Sequence, residues 1–75
     1  MAKLPRLSGN EVKRALSKAG FDEVRQRGSH VILKKETLSG KIGTVVPMHE
    51  ELKIGTLKGI LELAKIDEDE FSNYL

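Results

Sequence analysis

His30-Val31-Ile32-Leu33-Lys34-Lys35, entered through Arg27-Gly28-Ser29, is the stretch whose reading decides the fold. Three consecutive apolar residues, two of them β-branched, predict a strand. The preceding Gly-Ser pair predicts a tight turn, because glycine reaches positive φ freely and serine bonds its local backbone. Side chains alternate across a strand. His30, Ile32 and Lys34 therefore share one face, and Val31, Leu33 and Lys35 the other. Val31 and Leu33 make the better core pair, which sends His30 and Lys34 to an open face. Ile32 on that face is a mild cost unless a partner covers it.

Outward from this strand, Phe21 to Gln26 predicts a first strand, with Phe21 and Val24 as candidate apolar contacts, although their spacing of three fits alternation poorly. Glu36 to Gly40 predicts a polar hairpin loop. Lys41 to Val46 predicts a third strand, stopped by Pro47, which cannot donate to a ladder. Upstream, Pro5 and the residues before it form an extended lead-in. Ser8 and Glu11 make a Ser-x-x-Glu capping box, with Leu7 as the apolar residue before it. Val12, Ala15, Leu16 and Ala19 recur at helical spacing, and Gly20 supplies a left-handed stop, so the first helix covers about 9–19. Met48 to Gly55 is a connection with room for one helical turn. A second helix follows over about 56–65, with Thr56 as N-cap and Leu57, Ile60, Leu61 and Ala64 as its buried stripe. Asp67 and Glu70 repeat the capping pattern before a short terminal helix through Phe71 and Tyr74.

The expected fold class is α+β. Its order is α-β-β-β-α, with a three-stranded antiparallel sheet, helices on one face and a short extra C-terminal helix. Residues 1–75 form a single domain, since a chain of 75 residues holds one thin core at most. Hydrophobic residues are 39% and charged residues 32% of the chain, a globular balance. No cysteine is present, which excludes disulfides and thiolate chemistry and fits a reducing cytoplasm. No apolar run reaches the roughly 18 residues that span a bilayer. Met1 to Pro5 has no apolar core, so no signal peptide is expected. The net charge is +2, but its distribution matters more. Without the acidic run Asp67–Glu70 the body is clearly cationic, as a polyanion binder is. A solvated Lys-rich surface gives the same count, so charge alone does not choose.

Several segments in order carry a resemblance. Ser8-Gly9-Asn10-Glu11-Val12, Ala19-Gly20-Phe21, Arg25-Gln26-Arg27-Gly28-Ser29-His30, Val46-Pro47-Met48-His49 and Gly55-Thr56-Leu57-Lys58-Gly59-Ile60-Leu61 resemble the HicA family of mRNA interferase toxins, from about Leu7 to Ile66. The resemblance implies an α-β-β-β-α fold similar to double-stranded-RNA-binding domains. It implies a translation-independent endoribonuclease and a cognate HicB-type antitoxin that covers its active site. The family's catalytic histidine follows the Gly-Ser pair, which here makes it His30. Two positions depart from the pattern. Lys58 stands where arginine is commoner, and Lys65 replaces a common glycine.

RNA cleaves itself when a 2′-hydroxyl attacks the adjacent phosphorus, given a base, an acid and positive charge for the phosphorane. Imidazole titrates near pH 6.5 and can serve as either. His30 is the candidate acid or base. Arg25, Arg27, Lys34 and Lys53 are candidate phosphate holders. Gly28 and Ser29 form the turn, where the backbone can approach RNA closely. Ser29 has no Ser-His-Asp setting that would make it a nucleophile. His49 is a candidate second proton-transfer group, although a residue in that loop more commonly caps or packs before a helix. The N-terminus of the second helix is a weaker phosphate candidate. No cofactor is expected, and two histidines without clustered carboxylates make a poor metal site. The expected partners are mRNA and the antitoxin, with no membrane. The free protein is expected to be a monomer, Ile32 being the one unusual exposed apolar residue. The competing reading is a module that grips RNA by shape without cutting it.

Overall fold

A computed structural model describes residues 4–75. The elements are α1 (Gly9–Lys18), β1 (Asp22–Arg27), β2 (His30–Thr37), β3 (Gly40–Pro47), α2 (Ile54–Ala64) and α3 (Glu68–Ser72). The sheet is antiparallel in the order β1-β2-β3. The expected α-β-β-β-α order with a short C-terminal helix is the order found. The lead-in expected before Pro5 lies partly outside the described residues.

α1 starts where its capping box places it. The Ser8 amide donates to Glu11 Oε1 at 3.0 Å, and the Glu11 amide to Ser8 Oγ at 3.1 Å. Leu7 and Val12 are both buried, the positions of a hydrophobic staple. Val31, Leu33 and Val46 of the sheet pack with Val12, Ala15 and Leu16 of α1, with Leu57, Ile60, Leu61 and Ala64 of α2, and with Phe71 of α3. All three helices thus contribute buried apolar residues to one core on a single sheet face, while Ile54 and Leu63 of α2 stay exposed. Thr44 is 2% exposed on that face. Its hydroxyl donates to the Ile60 carbonyl at 2.9 Å, a bond that satisfies a buried polar group between β3 and α2. Lys35, also on the helix side, donates to the Ala19 carbonyl at 2.8 Å and lies 5.8 Å from the Phe21 ring centre.

Several boundaries and contacts differ from expectation. Phe21 is buried, but Val24 is 53% exposed. The register slips between Glu23 and Arg25, so Val24 is the extra residue of a β-bulge. An odd spacing of three puts Phe21 and Val24 on opposite faces by ordinary alternation, and the bulge shifts only the residues that follow Val24. The β2–β3 connection is shorter than the loop 36–40, because pairing runs to Thr37↔Gly40. Gly40 has φ 126° and Thr37 Oγ1 donates to the Gly40 carbonyl at 2.7 Å. α2 begins at Ile54, and Lys53, not Thr56, is its N-cap, with no side-chain capping bond. The Leu57 amide reaches the Lys53 carbonyl at 2.9 Å, which pulls the first turn two residues upstream. The helix ends in a Schellman arrangement: the amides of Lys65 and Ile66 bond the carbonyls of Glu62 and Leu61. Lys65 takes the left-handed conformation, φ 57°, that glycine normally fills. This accounts for the glycine that the resemblance places there. Asp67 caps α3 by accepting from the Glu70 amide at 2.7 Å. No described helix is long and apolar enough to cross a membrane.

Candidate functional site

Cross-strand partners lie on the same side of a sheet, so the register gives the composition of the open face. His30 stands between Arg27 of β1 and Pro47 of β3, and Ile32 between Arg25 and Val45. Lys34 stands between Asp22 and Gly43. His30, Arg25, Arg27 and Lys34 are all exposed. Four of the eight residues singled out in the sequence thus share one surface. The bulge is necessary to this: without the extra residue at Val24, Arg25 and Arg27 would point to the helix side. Among the described residues none of these four side chains enters an ion pair or a side-chain hydrogen bond. Among the described residues no carboxylate forms an ion pair with these cations, and the nearest acidic neighbour in the register is Asp22, opposite Lys34.

The turn beneath them is a two-residue connection. Gly28 has φ 55°, and Ser29 is not among the residues with positive φ. Glycine first and an ordinary residue second is the pattern of a II′ hairpin. Two further bonds hold this turn, and neither was visible in the sequence. Gln26 Nε2 donates to the Gly28 carbonyl at 3.1 Å. The Met48 amide donates to the Ser29 carbonyl. A glutamine in a strand gives no signal of where its amide will go.

Met48 belongs to the loop that follows β3, which is fastened to α1 as well. The Gly9 amide donates to the His49 carbonyl at 2.9 Å, and the Leu52 amide to the Leu7 carbonyl at 2.7 Å. Gly9 is buried against this loop, where any Cβ would collide with Pro47. A glycine as the first residue of a helix was the signal available for that approach. The imidazole of His49 is exposed and caps nothing. Lys53, also exposed, stands off the sheet at the start of α2. The structure does not bring it into the row with His30.

Ile32 is half-buried on the open face rather than fully exposed, and it has company. Val24 lines a shallow depression with Arg25, Ile32 and Lys34, and Val45, 38% exposed, lies directly opposite Ile32. The expectation that Ile32 is the only unusual exposed apolar residue is corrected accordingly. The face is a short apolar strip with cations beside it. Among the described residues no three His, Cys, Asp or Glu side chains gather as a metal site would need.

Comparison with curated proteins gives no match. Residues 9–66 match a family model described as the HicA toxin of bacterial toxin-antitoxin, a span that runs from the first residue of α1 past the end of α2 and takes in the whole open face. The chain belongs to the HicA toxin family of bacterial toxin–antitoxin systems.

Proposed function

We propose that this toxin is a metal-independent endoribonuclease that cleaves mRNA in the cytoplasm through His30, and that a HicB-type antitoxin neutralises it. The observation that carries the reading is the exposed imidazole of His30 directly opposite Arg27, in a row of cations that form no ion pair among the described residues. Family membership supports a toxin whose partner is an antitoxin. His30 moves a proton at the 2′-oxygen or the 5′-oxygen. Arg25 and Arg27 hold the flanking phosphates and offset the charge that grows on phosphorus. Lys34 sits four residues along β2 from His30, about 13 Å at strand rise, and holds a phosphate further along the same strand of RNA. Gly28 and Ser29 let the backbone of the turn come close to the ribose. Lys53 takes at most a remote phosphate. The free toxin is a monomer.

The test is a paired assay of the wild type and His30→Ala on a defined RNA in excess chelator. Cleavage by the wild type and a loss of about 10²–10⁴-fold in the variant are expected, the usual contribution of one general acid or base. Melting temperatures should be equal, because His30 is exposed. A fully active His30→Ala refutes the assignment. Tight binding with intact RNA would instead make the domain an RNA-gripping module.

A further inference from the structure

One proton-transfer group explains half of a phosphodiester transfer. The 2′-hydroxyl must lose a proton as its oxygen bonds phosphorus, and the departing 5′-oxygen must gain one as its bond to phosphorus breaks. We infer that His49 is the second catalytic group, so that His30 and His49 handle one proton each. This inference rests on the ribonuclease reading above.

Three observations support His49 in that role. Its loop is fixed at the His30 end of the sheet. Pro47 is the cross-strand partner of His30, and the next amide, that of Met48, bonds the carbonyl of Ser29 just before His30. Opposed Cα atoms in an antiparallel pair lie about 5 Å apart, and two further residues add at most about 7.6 Å. The Cα atoms of the two histidines are therefore within about 13 Å of each other. Next, the backbone of His49 is tied to α1, its carbonyl accepting from the Gly9 amide at 2.9 Å. Finally, the structural duties open to a histidine in this loop are not performed by it. The N-cap of α2 is Lys53, the core holds no His49, and the imidazole is exposed with no side-chain hydrogen bond or ion pair among the described residues. A rigid backbone carrying an uncommitted titratable side chain is what a catalytic position requires and what a structural one does not.

The step balances without a co-reactant. The 2′-oxygen bonds phosphorus and gives its proton to one imidazole. The P–O5′ bond breaks, and the other histidine, as imidazolium, gives its proton to O5′. The products are a 2′,3′-cyclic phosphate and a 5′-hydroxyl end. The charged groups that bear on this pair are Arg27 opposite His30, Glu50 and Lys53 along the loop, and Glu51, whose carboxylate is 3.8 Å from Arg6.

The test measures kcat/KM against pH for the wild type, His30→Ala and His49→Ala on the same RNA, with and without added imidazole. The wild type should give a bell with two limbs. Each variant should lose about 10²–10⁴-fold, retain only one limb, and recover in part with imidazole. A purely structural His49 would lower the whole bell and leave both limbs in place. His49→Ala that keeps both limbs, or stays within about threefold of wild type while His30→Ala is inactive, overturns the role of His49 and leaves the ribonuclease reading intact. Absence of cleavage by the wild type overturns that reading first. Melting curves of His49→Ala, expected to match wild type for so exposed a side chain, separate lost chemistry from lost folding.

Discussion

Gly9→Ala exchanges a hydrogen for a methyl at the first residue of α1, and two effects of opposite sign follow. Alanine is the better helix former, by about 1 kcal/mol in a helix interior. Against this, the new Cβ would overlap the Pro47 carbonyl oxygen and lie 2.8 Å from Met48 Cα and 3.0 Å from the Pro47 carbonyl carbon. All three atoms are backbone, so no rotamer change relieves the overlap. Overpacking of this kind costs about 1–3 kcal/mol. Pushing α1 away also weakens the Gly9–His49 hydrogen bond, worth about 1 kcal/mol net. The balance is a loss of about 1–3 kcal/mol. At about 4–8 °C per kcal/mol for a domain of this size, the melting temperature should fall by about 5–20 °C. Thermal unfolding followed by circular dichroism measures it, with Gly59→Ala as the control. Gly59 lies inside α2, and a Cβ there meets no heavy atom within 4 Å. The control should gain about 1 kcal/mol from propensity alone. A Gly9→Ala melting temperature equal to or above wild type would refute the claim that α1 and the loop after β3 meet backbone to backbone.

Two further predictions concern helix ends. Lys65→Gly should raise the melting temperature by several degrees. A side chain at φ 57° costs about 1–2 kcal/mol, and glycine's extra freedom in the unfolded chain takes back about 0.4–1 kcal/mol; a lower melting temperature would contradict this account of the Schellman ending. Glu11 has its pKa lowered from the ordinary 4.5, first by the Ser8 backbone amide, then by the Ser8 hydroxyl, with Arg14 adding to it. A carboxylate with a depressed folded pKa contributes stability that is complete above its unfolded value and is lost as pH falls through the folded value. The gap in melting temperature between wild type and Glu11→Gln should therefore be open at neutral pH and close as the solution is acidified below about 4.5. A gap that stays constant into strong acid would show that the capping carboxylate does not titrate as argued.

Much of this fold is written in local rules. Ser8 and Glu11 announce α1 because their two hydrogen bonds involve only residues three apart. Val31 and Leu33 announce the core face because alternation is a property of any strand. Features that depend on two strands meeting are less readable. The bulge at Val24 leaves no mark in the sequence, and its consequence, the turning of Arg25 and Arg27 toward the face of His30, needs the register. Thr56 is a better N-cap by chemistry than Lys53, yet α2 starts at Ile54, with the Leu57 amide already bonded to the Lys53 carbonyl. Thr44 reads as an ordinary strand threonine, and only the passage of α2 over β3 makes it a buried donor. At the site, His30 and Lys34 were legible from β2 alone. The apolar strip of Val24, Ile32 and Val45 draws on three strands, and the anchorage of His49 on α1 is remote in sequence.

The three backbone bonds that fasten residues 48–52 have a consequence for motion. Loops commonly open by local fluctuations that leave the rest of a domain intact. Here the amides of Gly9, Met48 and Leu52 cross between α1, the β1–β2 turn and the loop after β3. The Gly9 bond cannot be released without parting α1 from the loop after β3, whereas the Met48 bond joins that loop to the β1–β2 turn and the Leu52 bond joins it to the residue before the α1 cap. The Gly9 proton therefore belongs with the slow-exchanging core in hydrogen exchange, despite lying beside a loop. The end of the molecule that carries both histidines is ordered before any partner arrives. An antitoxin, and on the proposed reading an RNA strand, meets a surface already in shape, and the ordering entropy that a flexible site would surrender on association has been settled during folding.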